Sequence, residues 1–142
     1  IGEAVGVEIK PEPRLREIKF GVIEGLTFDE AQARYPGLVA AWLADPDRPI
    51  EGGESQNQFA GRVTALVEEL KQRRPDQTVL LVTHAGPLRE ILRLALGLPP
   101  EGRMYFKVDN TGLTELSLYD EQPVIVRVND TAHLENGGQP PG

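Results

Sequence analysis

The run Val79-Leu80-Leu81-Val82, followed at once by Thr83-His84-Ala85-Gly86-Pro87, sets the tightest limit on the fold of this chain. A short, unbroken apolar run bounded by polar residues suits a strand covered on both faces, as in a parallel sheet. Gly86 to Leu96 then carries the marks of a helix: Pro87 lies in its first turn, Gly97 follows its end, and Pro99-Pro100 stand beyond. A buried strand that passes directly into a helix is a building unit of α/β proteins. One of only two histidines in the chain, His84, stands at the junction. Its position alone leaves two readings open, a packed histidine with satisfied hydrogen bonds or a group aimed at a ligand.

The other segments extend this pattern. Ile1, Ala4 and Val5 read as the end of an amphipathic helix with Gly6 at its C′ position, and Val7 to Ile9 as the start of a strand. Prolines and glycines mark residues 11–25, PEPRLREIKFGVIEG, as an irregular connection. Thr27-Phe28-Asp29-Glu30 matches a capping box and predicts a helix that Tyr35-Pro36-Gly37 ends. Leu38 to Leu43 predicts another short helical turn, carrying the single tryptophan, Trp42.

Ser55 and Gln58 form a second capping box. The helix it opens places Phe59, Val63, Leu66, Val67 and Leu70 on one face. Arg73-Arg74 complement the C-terminal end of its dipole, and Pro75 stops it. Met104 to Val108, Leu113 to Tyr119 and Val124 to Val128 read as strands joined by D-N-T-G and D-E-Q-P turns. Residues 1–134 are expected to form a single domain and 135–142 a disordered tail. The order of elements predicts an α/β fold with a mixed sheet.

Charge and composition narrow the function. Fifteen Lys and Arg against 22 Asp and Glu give a net charge of −7, so general nucleic-acid binding is not expected. Any bound anion must be held by a local device, such as a helix N-terminus or a few aimed cations. No apolar run approaches the roughly eighteen residues of a membrane span, and no basic stretch precedes an apolar one as in a secretory signal. No membrane partner is expected, and a cytoplasmic location is the default. The absence of cysteine excludes disulfides and thiolate metal sites. Acidic clusters such as Asp45-Pro46-Asp47 lack ligand spacing, so neither a metal nor a cofactor is expected.

In open α/β sheets, ligands collect beyond the carboxyl ends of the strands. His84 sits at that end of the most apolar strand, followed by the backbone amides of Ala85 and Gly86 at a helix N-terminus. Imidazolium, free N–H groups and the positive end of a helix dipole together suit a phosphate. Arg89, one turn on, can add charge.

These residues carry a resemblance. L-V-T-H-A-G, 81–86, resembles the second histidine motif of the histidine phosphatase superfamily, whose members include the phosphoglycerate mutases. R-L-R-E-I-K-F-G-V-I-E-G, 14–25, is similar to the family segment bearing a proton-donating glutamate. G-G-E-S at 52–55 and V-N-D-T-A-H-L at 128–134 resemble further family stretches, in the family's order, and the similarity runs from Ile1 to Leu134. It implies a three-layer sandwich with a mostly parallel mixed sheet flanked by helices, incomplete at the N-terminus.

Residue by residue, His84 matches the second active-site histidine, which holds the transferring phosphoryl group, and Glu17 the carboxyl group that protonates the leaving oxygen. Both roles suit phosphoryl transfer, in which spread negative charge must be offset and an alkoxide protonated. Ala85 and Gly86 are expected to bind substrate through their amides; Asn110, at the N-T-G turn, is expected at the rim, although a plain turn also explains it. Glu24 is a rival acid by residue type, with a surface role as its alternative, and His133 falls outside the catalytic set. Glu54 and Ser55 are accounted for as helix-capping residues.

The sequence also departs from the family. Its nucleophile lies in an N-terminal R-H-G motif, and these 142 residues contain none. The nucleophile is therefore expected from residues not in this chain, which is expected to be inactive alone and to need that N-terminal segment to cover its sheet edges. Ile23 stands where the family often has tryptophan, and Ala85 where it often has glycine.

The leading expectation is a phosphomonoesterase that acts on a small phosphorylated metabolite through a phosphohistidine; homodimer formation is compatible with it. A cofactor-dependent phosphoglycerate mutase, an isomerase, is the alternative, disfavoured by the compact stretch from Thr27 to Pro49. A non-catalytic remnant that binds a phosphate ligand or a partner is a further reading. A flavodoxin-like or nucleotide-binding domain is disfavoured, because neither G-x-G-x-x-G nor a P-loop is present.

Overall fold

Capping residues set the helix limits. In the computed structural model, which describes residues 1–72, 77–119 and 123–135, helix α1 (Gly2–Val5) stops at Gly6, whose φ of 69° lies in the left-handed region. Both expected capping boxes form. The Thr27 hydroxyl accepts the Glu30 amide while the Glu30 carboxylate accepts the Thr27 amide, opening α2 (Phe28–Arg34). Helix α3 (Leu38–Ala44) follows Gly37. Ser55 and Gln58 repeat the reciprocal arrangement at the start of α4 (Gln56–Lys71). Helix α5 (Ala85–Ala95) begins after His84, whose backbone is extended.

The core forms where the apolar stripe of α4 lands. Phe59, Val63, Leu66 and Val67 are buried as expected, whereas Leu70 is only partly covered. Helix α4 packs on α5 and on the 3-10 turn Pro13–Leu15, so Leu92 and Leu15 complete the same cluster. Helices α2 and α3 pack on each other and bury Ala31 and Val39. Each such large side chain removed from water contributes about 1.5–3 kcal/mol.

One charge is buried with them. Glu90 of α5 is fully inaccessible, and its carboxylate accepts Arg93 at 2.6 and 3.0 Å, with Arg103 Nε 3.5 Å away. Arg103 belongs to the 3-10 helix Pro100–Tyr105 and donates to Gln56 Oε1 of α4 at 2.9 Å. The network therefore ties α4, α5 and this 3-10 helix together.

The sheet among the described residues is one antiparallel pair, β1 (Leu113–Leu118) and β2 (Pro123–Asp130), with an irregular register between Leu113 and Leu116. Asn129 adopts φ 51°. Its side chain accepts the Asp109 amide at 2.8 Å and donates to the Asp109 carboxylate at 2.9 Å, which fixes the turn before β1. Helix α6 (Ala132–Glu135) follows, so Glu135 is helical rather than part of a tail.

Three expected strands do not form. Val7 to Ile9 stays irregular: Gly6 reverses the chain, the Val7 amide donates to Gly2 O, and Ile9 packs onto the bare Cα of Gly2. Met104 and Tyr105 lie in the 3-10 helix, which Pro100 starts and Gly102 seats against Leu98, and 106–108 is irregular. Val79 to Val82 has no ladder partner, and Val79, Leu80 and Val82 are 42%, 62% and 64% exposed. An apolar run records a preference for burial, but a strand needs a neighbour for its backbone groups, and none among the described residues lies beside this one. The described architecture is a mixed helix and strand fold. Arg73, Arg74, Pro75, the D-E-Q part of the second hairpin turn and residues 136–142 lie outside the described residues. No helix among the described residues is long and apolar enough to cross a membrane, and no cluster of their His, Asp and Glu side chains could hold a metal ion.

Removing the Glu90 carboxylate leaves the largely buried Arg93 guanidinium without its counter-ion. Glu90→Ala is expected to cost about 3 kcal/mol in urea unfolding, whereas Glu115→Ala, which breaks an exposed ion pair with Arg127, should cost under about 1 kcal/mol.

Candidate functional site

The segment carrying Glu17 has little regular structure of its own. Between the 3-10 turns Pro13–Leu15 and Gly21–Ile23 its backbone groups have no helix or strand to satisfy them. Side chains from elsewhere do so. Arg62 of α4 donates through Nη1 to the carbonyls of Arg14 at 2.7 Å and Arg16 at 2.8 Å, and through Nη2 to that of Glu17 at 3.1 Å. Its remaining two N–H groups grip the Glu54 carboxylate at 2.6 and 3.0 Å. A guanidinium has five N–H donors, and all five are used. The ring of Phe59 lies beneath, 4.9 Å from the guanidinium carbon.

The G-G-E-S loop closes the other side. The Glu54 amide donates to the Lys19 carbonyl at 2.8 Å, and the Glu54 carboxylate accepts the Lys19 amide at 3.0 Å. The Val22 amide donates to Glu51 O at 3.0 Å. The two loops approach so closely that a Cβ at Gly21, where φ is 58°, would fall on the Glu51 carbonyl. Only glycine fits there. Trp42 of α3 rests edge-on against Phe20 at 5.8 Å and donates to Glu54 O at 3.4 Å.

So held, the partly buried Glu17 carboxylate meets the start of α5. Its Oε2 accepts the Gly86 amide at 3.0 Å, joining residues 69 positions apart, and its Oε1 accepts the Ile18 amide at 2.9 Å. A Cβ on Gly86 would collide with Glu17 Oε1. Thr83 adds a second tie, its hydroxyl donating to Leu15 O at 2.7 Å. The sequence thus brings Glu17 to the helix start formed by His84, Ala85 and Gly86.

The remaining expected residues are placed as follows. His84 is exposed at the N-cap of α5, and its side chain makes no capping bond. Ala85 and Gly86 are the first residues of that helix and are partly buried. Asn110 is exposed in the turn before β1, and no hydrogen bond among the described residues joins it to Glu17, His84 or Gly86. Glu24 and His133 are exposed. Arg89 donates to Phe106 O at 3.0 Å rather than lying free.

Arg62 and Thr83 were not among the expected site residues, and Glu54 was expected only to cap. A signal for Arg62 exists: it lies within the stripe of Phe59, Val63 and Leu66, where a cation needs a buried reason. The bond from Thr83 to Leu15 spans 68 positions and has no local signature. The Arg62 guanidinium beside Glu54 holds the carboxyl below the usual glutamate range against the opposing effect of burial, and the Lys19 amide adds to it.

Comparison with known proteins follows the same residues. Residues 1–131 match the model of the histidine phosphatase superfamily (branch 1). Phosphoserine phosphatase 1 of Hydrogenobacter thermophilus is 31% identical over 135 residues, covering 94% of this chain and 64% of that protein. The chain thus spans just under two thirds of that relative's length. A mycobacterial glucosyl-3-phosphoglycerate phosphatase, solved in complex with inorganic phosphate, superposes with a TM-score of 0.71 at 29% identity, over 92% of this chain and 69% of its own. The alpha-ribazole phosphatase from Shigella flexneri superposes with a TM-score of 0.78 at 22% identity, over 91% of this chain and 64% of its own, a likeness of fold.

A carboxyl held below its unfolded pKa contributes stability that is present above the unfolded value and lost as pH falls through the folded one. The stability difference between the native protein and Glu54→Gln is therefore expected to be about 1–2 kcal/mol at neutral pH. It should vanish as acid protonates Glu54, which thermal melts across the carboxylate range would follow.

Proposed function

The chain belongs to the histidine phosphatase superfamily, and from that premise we propose that it supplies the acid and one phosphate-holding histidine of a phosphomonoesterase. Its substrate class is a small phosphorylated metabolite. Neither nucleic acid nor membrane is a partner, and the reaction runs in the cytoplasm. The observation that carries the reading is the 3.0 Å bond between Glu17 Oε2 and the Gly86 amide. It brings a carboxyl group to the start of an eleven-residue helix whose N-cap is a histidine, and helix starts suit phosphate.

The chemistry divides as follows. A histidine outside these residues attacks phosphorus, the bond from phosphorus to the leaving oxygen breaks, and Glu17 gives that oxygen its proton. Water then attacks phosphorus and yields its proton to the Glu17 carboxylate, the bond from phosphorus to the histidine nitrogen breaks, and inorganic phosphate leaves, returning both groups to their starting state. His84 and the amide of Ala85 offset charge on the phosphoryl oxygens, while the Gly86 amide holds the Glu17 carboxylate beside them. Asn110 serves the rim of the substrate site. The exposure of His84 supports a role in contact with ligand, since a packed histidine would be enclosed.

In the complete protein, Val79 to Val82 is a strand of a mostly parallel sheet in a three-layer sandwich, completed by the N-terminal segment. The exposed valines and leucine of that run support this placement, because a large exposed apolar edge is costly in water. A phosphatase is favoured over a mutase because residues 27–49 hold only the seven-residue helices α2 and α3.

The test uses the full-length gene product with β-glycerol phosphate, a poor leaving group, and p-nitrophenyl phosphate, whose phenolate hardly needs a proton. Glu17→Gln is expected to lower kcat/KM on the former by about 100-fold or more and on the latter far less. Equal losses on the two would remove Glu17 as the acid. His84→Ala should abolish most turnover of both substrates while leaving the melting temperature close to native; full activity in that variant would defeat the reading. Gly86→Ala should displace only the end of the Glu17 side chain, so selectivity is expected to change as in Glu17→Gln while stability shifts by under about 1 kcal/mol.

A further inference from the structure

A general acid must reach its leaving oxygen within hydrogen-bond distance, yet Glu17 stands on a segment with no helix or strand to fix its direction. We infer that Arg62 is the positioning residue of this site: it holds the main chain that carries Glu17 at the start of α5 and acts on the reaction only through that carboxyl group. The inference rests on the reading of Glu17 as the acid.

Three features single out Arg62. It binds the carbonyls of residues 14, 16 and 17 at once, including that of Glu17 itself. No other side chain among the described residues contacts this stretch of backbone at more than one carbonyl; Thr83 reaches Leu15 O alone. Arg62 is in turn fixed from behind by the buried Phe59 ring and from the side by Glu54, which also holds the Lys19 amide. It is rooted in the middle of the longest helix. The aim of Glu17 is therefore referred to α4, and the position of the Gly86 amide to α5, two helices that pack directly on each other.

The donor count separates positioning from substrate binding. All five N–H groups are committed within the protein, so Arg62 has none to offer a phosphate. A lysine has three donors without the planar fork and cannot span Glu54 and three carbonyls together.

The experiment compares native full-length protein, Arg62→Lys, Glu17→Gln and the double variant on β-glycerol phosphate and p-nitrophenyl phosphate. Arg62→Lys is expected to lose about 100-fold in kcat on β-glycerol phosphate and less than about threefold on p-nitrophenyl phosphate. Adding Glu17→Gln to it should cost little more, because the acid is already misdirected. A merely structural arginine would lower the melting temperature without changing the ratio of the two substrates. Glu54→Gln, which weakens the grip on the guanidinium while retaining it, should shift the ratio in the same direction by less, and it decides the question if Arg62→Lys does not fold. Equal losses on both substrates, or losses in the double variant that multiply, would overturn the positioning role when Glu17→Gln itself is selective. Equal losses in Glu17→Gln would instead overturn the acid on which the role depends.

Discussion

Five hydrogen bonds from one guanidinium hold together the segment that carries Glu17, the G-G-E-S loop and the helix Gln56–Lys71. Arg62 joins the longest described helix, the G-G-E-S loop and the irregular segment 14–17 at one point, beside the separate ion pair of Arg14 with Glu69 and the capping bonds of Ser55 and Gln58. Its carbon face lies on Phe59, so the same residue that the core buries also supports the cation above it. An irregular segment can be rigid when its carbonyls are satisfied by a preorganised donor set, and this is how Glu17 gains direction without a helix or strand of its own.

The second constraint is the meeting of Glu17 with Gly86. An amide at a helix start carries partial positive charge and donates readily to a carboxylate. Glycine lets the carboxylate come close, since any side chain there would occupy the position of Glu17 Oε1. A chain with net charge −7 thus seats one of its own carboxylates at a helix start. Membership in the histidine phosphatase superfamily and likeness to phosphatases of several substrates agree with that chemistry. The named activities of these relatives differ in substrate.

Much of the helical framework was legible because its signals are local. A capping box needs residues three apart, and both formed at Thr27 and Ser55; an apolar stripe needs a fixed period, and α4 buries most of the one expected. The hairpin of β1 and β2 was legible for the same reason. The strands expected at 7–9, 79–82 and 104–108 were not formed, because a strand is a relation between two segments and the sequence of one does not supply the other. At 104–105 the prolines and the seating of Gly102 on Leu98 favoured a 3-10 helix over the β propensity of Met-Tyr-Phe.

By itself, the sequence determined the family resemblance, the helix limits and the residue types of the site, since each is written in spacing along the chain. The tertiary structure alone decided that Glu17 rather than Glu24 meets the start of α5, that Arg62 spends all its donors on the segment bearing Glu17, and that Asn110 makes no hydrogen bond to that pair. Those contacts link residues dozens of positions apart, and a hydrogen bond depends on distance and angle in space, which no periodicity along the chain encodes.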